Sequence, residues 1–167
     1  LRVISVRMDY LPESVSAAEN VLRKGELGYI SRYALGRDYH KIMRKRLQKL
    51  AAKIESMIGP FCYRVFVDSA PVMEKPLAQK AGLGWTGKHT NIIDKKAGSF
   101  FFLGELYTDL PLTPAAPAET HCGSCLACID VCPTQAIISP SQLDARPCIP
   151  SSTIADPVTI PEGVSPA

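Results

Sequence analysis

HCGSCLACIDVCP, residues 121–133, decides how this chain is read. It places Cys122, Cys125, Cys128 and Cys132 in the pattern C-x2-C-x2-C-x3-C followed by Pro, the run with which bacterial ferredoxins hold a 4Fe–4S cluster. The chemistry needs that closeness. Thiolates must converge on the irons of one cubane, and short loops with small Gly123, Ser124 and Ala127 let the backbone wrap it. In such runs the fourth Cys usually ligates a different cluster, so Cys132 points to a second centre. Structural zinc sites present two separated Cys pairs, or Cys with His. A single run ending in Cys-Pro suits a cluster better.

Around this run the composition is that of a globular protein: 167 residues, 46% hydrophobic and 21% charged. That is enough for one ordinary domain and a small appendage, with a real core. The net charge of +3 is only mildly basic. No apolar run approaches the ~20 residues of a membrane span. Five of the six cysteines lie within 122–148, a cofactor cradle and not a disulfide framework, which suits a reducing cytoplasm. The chain opens on Leu1 directly into strand-like sequence, and the expectation is that no signal peptide precedes it. Even with Cys148 it has too few cysteines for two clusters, and it reads as a fragment.

Residues 1–10 alternate apolar and polar positions and predict a strand. Residues 11–36 hold Pro12, Gly25, Gly28 and Gly36 and predict a long loop with a short helix, either a cofactor wall or a surface excursion. From Arg37 to Ile58 the apolar positions Met43, Leu47, Leu50, Ile54 and Met57 form one helical stripe, with Asp38 at its head and Gly59-Pro60 at its end. The other face carries Lys41, Arg44, Lys45, Arg46, Lys49 and Lys53. Such a face is either solvated or a phosphate contact.

Residues 61–68 predict a strand that ends on Asp68. A carboxylate where a strand gives way to a loop is either a catalytic group or the cap of a helix, here one expected over Pro71–Ala81. The stretch AGLGWTGKHTNII, 81–93, predicts an irregular, backbone-lined wall against a large ligand, with Trp85 as a flat apolar face. Lys88 and His89 are anion contacts or plain surface residues. A polar turn at 94–98 and a strand at 99–106 follow, expected to close a hairpin. Proline-rich 111–120 reads as a linker and domain boundary. Beyond the cysteine run a short ferredoxin-like helix and turn are expected, then an irregular tail over 150–167. The predicted fold is α+β: a mainly antiparallel sheet flanked by helices over 1–110, then a ferredoxin-like iron–sulfur subdomain over 121–149.

SRYALGRDYHKIMRKRLQKLA (31–51), FVDSAPVMEKPLA (66–78), AGLGWTGKHTNII (81–93) and the cysteine run with DARPCI (144–149) together closely resemble epoxyqueuosine reductase, over about residues 1–149. The resemblance implies reduction of epoxyqueuosine to queuosine at the wobble position of tRNA, using cobalamin and two 4Fe–4S clusters, and kinship with corrinoid-dependent reductive dehalogenases. It implies Asp68 as the proton donor and positions around Asn91 and Ile92 at the corrinoid. It implies Cys122, Cys125 and Cys128 on the first cluster, Cys132 and Cys148 on the second, and the basic helix face towards tRNA. Members of that family have more chain at both ends, including a later cysteine group. They also continue differently after Cys148, where this chain keeps Thr153, Ile154 and the Ile-Pro-Glu at 160–162. The resemblance leads us to expect a cytoplasmic monomer served by an electron donor. A plain ferredoxin-type electron-transfer module, or a reductive dehalogenase, are the rival readings; the first leaves Asp68 and the 81–93 wall without a task.

Overall fold

The computed structural model describes residues 1–11, 14–68 and 70–151. At its centre β1 (Arg2–Asp9), β5 (Phe101–Thr108) and β2 (Tyr63–Phe66) form an antiparallel sheet in the spatial order β1-β5-β2. β5 is the middle strand: Leu106 lies opposite Ile4 on one side and Val65 on the other. Side chains alternate between the two faces of a strand, so Phe102, Gly104 and Leu106 point one way and Phe101, Leu103 and Glu105 the other.

The first face is covered by α2 (Tyr39–Ile58), whose Met43, Leu47 and Ala51 are buried with Leu106 and Val67. Gly104 lets the helix come this close, since a Cβ there would lie 2.9 Å from Met43 Cε and 3.1 Å from Leu47 Cδ1. The helix begins where Asp38 accepts the N–H of His40 at 2.9 Å and ends at Gly59, whose φ of 90° no other residue adopts readily. The contact line runs 43–47–51, at four-residue steps. Met57, expected on the stripe, is 74% exposed because the last turn finds no cover among the described residues.

On the second face α3 (Glu74–Lys80) and a ribbon of β3 (Trp85–Thr86) and β4 (Ile92–Ile93) bury Ala78, Ile92 and Phe101 together. Helix α3 starts three residues later than the expected Pro71; Pro76 sits in its first turn, where a missing N–H breaks no helical bond. The 81–93 stretch is irregular apart from this ribbon of two residues per strand. Its ribbon exists because Gly84 has no side chain: a Cβ would lie 2.3 Å from the Ile93 carbonyl oxygen. The 94–98 turn is closed by the Asp94–Gly98 bridge. The expected hairpin does not follow, since β4 is paired to β3 and the strand after the turn joins β1 and β2.

The 11–36 stretch contains α1 (Val15–Leu22), capped by Ser14, and a 3₁₀ turn at Arg32–Ala34. Residues 111–120 form no regular element, yet they are tied back by Ala118 N–H to the Gln79 carbonyl and by Arg2 Nε to the Leu112 carbonyl, both 3.0 Å. In the cysteine region a four-residue α4 (Ala127–Asp130) carries Cys128. The helix expected after the run is replaced by a small ladder of β6 (Ile137–Ser139) and β7 (Gln142–Leu143), turned by Ser141 at φ 63°. The architecture is the expected α+β one. Of the tail expected over 150–167, residues 152–167 lie outside the described residues. Among the described residues no helix is long and apolar enough to cross a membrane.

Candidate active site

Strand β2 gives out after Phe66, and Asp68 turns outward in the left-handed region at φ 45°, with 55% of its side chain exposed. Asp is one of the few residues besides Gly that tolerates this conformation. The first turn of α2 meets it. The Tyr39 hydroxyl donates to Asp68 Oδ2, and His40 Nε2 lies 3.0 Å from the same oxygen. His40 is aimed by its other nitrogen, 2.9 Å from Asp38 Oδ1. One carboxylate thus starts the helix and orients the imidazole, and the bond to His40 holds Asp38 below its ordinary range. Tyr39 stacks flat on Phe102, with centroids 3.9 Å apart. Burial first, then the Asp68 carboxylate, push the Tyr39 phenol far up, so it remains a donor at any working pH. Of the two roles left open for Asp68, capping is excluded: α3 starts at Glu74 behind Met73, with no side-chain cap.

Beside Tyr39 opens a cleft of about 230 Å³ lined by Tyr10, Tyr33, Lys75, Asn91 and Ile92. Asn91 and Ile92, both expected at a cofactor, therefore share one wall system with the residue that holds Asp68. Tyr33 brings the 11–36 stretch into that wall. Burial pulls the Lys75 ammonium down. His89 does not face an anion: its Nδ1 accepts the Asn91 N–H at 3.1 Å, and burial pulls it down as well. Trp85 is not the flat face of this cleft. The aromatic and apolar lining fits one edge of a flat conjugated ligand, with Asn91 and Lys75 as polar contacts.

Trp85 and Lys88 instead grip the cysteine run. Trp85 is buried, with Nε1 3.3 Å from Cys122 Sγ and its ring edge-on to His121. Lys88 Nζ donates to the carbonyls of Gly123 and Cys125, both at 2.8 Å. The Cys132 thiol is pulled down by backbone N–H groups, that of Ile137 foremost, then Ala136 and Thr134, a setting that receives a thiolate. Before Cys148, Arg146 clasps Asp144 at 2.6–3.1 Å and pulls its carboxyl down to about 2. None of the six cysteines is joined in a disulfide. Among the described residues no three Cys, His, Asp or Glu side chains converge as a finished metal site. As a donor set, clustered soft thiolates fit iron–sulfur chemistry.

The cations of α2 are exposed, though Arg46 also reaches Met8 Sδ at 2.9 Å. Arg44 and Arg64 line a groove of about 570 Å³ between α2 and β2, which Ala70 and Pro71 also line next to Asp68. Sequence reading missed Tyr39, His40 and Lys75 as site residues. A signal existed for the first two: Asp-Tyr-His at a helix start puts two polar rings on the turn nearest the sheet end.

Residues 1–69 match the family described as "Epoxyqueuosine reductase QueG, DUF1730", and residues 121–164 match the "4Fe-4S double cluster binding domain". The epoxyqueuosine reductase of Xanthomonas campestris is 60% identical over 97% of this chain, which covers 46% of that relative. A crystal structure of epoxyqueuosine reductase with an epoxyqueuosine-modified tRNA-Tyr stem loop superposes with a TM-score of 0.75 at 28% identity, over 90% of this chain and 40% of that one. A Bacillus subtilis epoxyqueuosine reductase, solved with an aspartate catalytic loop swung out of its active site, gives 0.74 at 27% identity with the same coverage. The chain spans a little under half the length of the curated relatives it matches. Over nearly all of its own length the chain is similar to epoxyqueuosine reductases, and residues 1–69 match that family's model.

Proposed function

We propose that this chain forms the cofactor-facing core of an enzyme that reduces epoxyqueuosine to queuosine at the wobble position of tRNA. The convergence of Tyr39, His40 and the left-handed Asp68 beside the cleft of Asn91 and Ile92 carries this reading. The reaction consumes two electrons and two protons; both C–O bonds of the epoxide break and the oxygen leaves as water. An alkoxide is a poor leaving group, so a positioned acid is worth about 10²–10⁴-fold. Asp68 is that acid, giving its proton to the epoxide oxygen as the C–O bond opens. Tyr39 and His40 hold Oδ2 and so leave Oδ1 to carry the proton, and half-exposed His40, aligned by Asp38, can return one from solvent.

Cobalamin, when bound against Asn91 and Ile92, would supply the low-potential cobalt that reduces the epoxide carbon. Cys122, Cys125 and Cys128 would hold one 4Fe–4S cluster and Cys132 with Cys148 a second, the other ligands coming from elsewhere in the full-length protein. On this reading residues 1–110 bind the corrinoid, 121–149 the clusters, and 111–120 join them. The α2 cations and the Arg44–Arg64 groove would receive tRNA phosphates. A bare electron-transfer module has no use for the Asp68 constellation. In the full-length protein, Asp68→Asn should bind cobalamin and a modified tRNA stem loop normally while losing at least about 100-fold in turnover. Turnover near that of the wild type would overturn the reading.

A further inference from the structure

Two carboxyl groups near Asp68 belong to neither the cleft nor the cysteine run. Glu105, in the middle of β5, is completely buried (0% exposed). Its Oε1 accepts from Ser5 Oγ on β1 at 3.2 Å, whereas its Oε2 is buried with nothing to donate to it. Glu74, the first residue of α3, is the neighbouring carboxyl group, close enough for the two to act on each other's charge. Two charged carboxylates side by side away from water repel, and one proton between them turns that repulsion into a hydrogen bond. The undonated Glu105 Oε2 is the atom that can bear it. Burial and then the Glu74 charge push Glu105 up to about 8, and burial pushes Glu74 up as well. Glu74 also reaches outward: its Oε1 accepts the backbone N–H of Asp68 at 2.6 Å.

The geometry points to a latch, in which the proton held between Glu105 and Glu74 keeps Glu74 on the Asp68 amide and so fixes the left-handed turn that aims Asp68. Both glutamates are positioning residues, and the inference rests on Asp68 being the acid. A relative solved with its catalytic aspartate loop swung out shows that such a loop has a second position in that protein. Other groups act on the pair: Ser5 from β1, Asp68 and His40 from the β2 end and α2, and Lys75 from α3. Of these, Lys75 and His40 favour a charged Glu74, and Asp68 opposes it. When Glu105 ionises, the pair carries two charges in a dry site and parts. The latch is therefore closed while Glu105 keeps its proton and opens as it ionises, at a pH raised above the ordinary carboxylate range by burial.

The test is hydrogen exchange of the Asp68 amide in the full-length protein between pH 6 and 9, corrected for intrinsic exchange, with kcat and KM measured alongside. Wild-type protection should fall by about tenfold per pH unit once Glu105 ionises. Glu105→Gln, which still donates to Glu74 and accepts from Ser5, should remove that fall. Glu74→Ala should lose protection at every pH and lower kcat with KM unchanged, and Glu74→Gln should restore protection. Flat wild-type protection, or a pH-dependent Glu105→Gln, overturns the latch even if Glu74→Ala disturbs folding. If protection behaves as expected but Asp68→Asn keeps its turnover, the catalytic reading fails and the latch stands as a structural device.

Discussion

Replacing Tyr39 by Phe isolates one hydrogen bond. The ring is held by stacking on Phe102 at 3.9 Å and on His40 at 4.0 Å, and Phe preserves both contacts. Only the hydroxyl that donates to Asp68 Oδ2 is lost. A hydrogen bond to a charged partner is worth about 1.5–3 kcal/mol, or about 10- to 150-fold in rate if all of it serves to aim the acid. His40 Nε2 still holds the same oxygen at 3.0 Å, so the expected loss lies at the lower end, about tenfold in kcat. Because Tyr39 also lines the cleft without a polar contact there, KM and cobalamin binding should stay put. Single-turnover reduction of a modified stem loop by the full-length protein, with cobalamin titrated separately, reads both. Removing His40 as well, as His40→Gln in the Tyr39→Phe background, should cost more than the sum of the single losses, since the carboxylate then has no side-chain donor of the original kind. A Tyr39→Phe enzyme with kcat within twofold of wild type would refute the orienting role. A raised KM with unchanged kcat would place Tyr39 in binding instead.

Leu106 is fully buried at the centre of the sheet under α2, and Leu106→Ala should lower unfolding free energy by about 2–5 kcal/mol in a chemical denaturation series; a loss below 1 kcal/mol would mean that α2 does not pack there. Arg44→Glu and Arg64→Glu should each weaken stem-loop binding uniformly across sequences and reduce the salt slope by about one charge; an unchanged slope would take the groove out of the tRNA path. Trp85→Phe keeps the apolar ring but deletes the N–H aimed at Cys122 Sγ. Hydrogen bonds to cluster sulfurs tune potential, and here their removal should shift one cluster to a more negative midpoint in a redox titration. An unmoved midpoint would show that Cys122 does not ligate the titrating cluster.

The elements visible in the sequence were those whose signal is local. The 3.6-residue periodicity of α2, the alternation of β1 and the Cys spacing each needed only neighbours along the chain. Asp68 was visible as an acid at a strand end, but its partners were not, since Tyr39 and His40 approach it from 29 and 28 residues away. The β3–β4 ribbon was hidden because glycines carry no pattern; Gly84 is there for a backbone approach that only the folded chain displays. Trp85 was given the wrong neighbour for a related reason: a flat apolar ring suits a cofactor face and a thiolate contact equally until the ribbon fixes its direction. Glu105 left a trace that could have been followed. An acid inside FFLGELYT, on a strand flanked by partners on both edges, has to be protonated or paired.

The order of strands in the sheet also bears on how the chain is made. The strand that holds the sheet together is emitted last, since β5 lies between β1 and β2 and comes after both. Ser5 and Glu105 are hydrogen-bonded across 100 residues. At a synthesis rate of about 5–20 residues per second, β1 waits on the order of 5–20 s for its partner. Such long closures make for slow folding. During that interval β1 and β2 present unpaired apolar edges to whatever else is in the cell, so growth temperature and translation speed between the codons of β1 and β5 become determinants of yield.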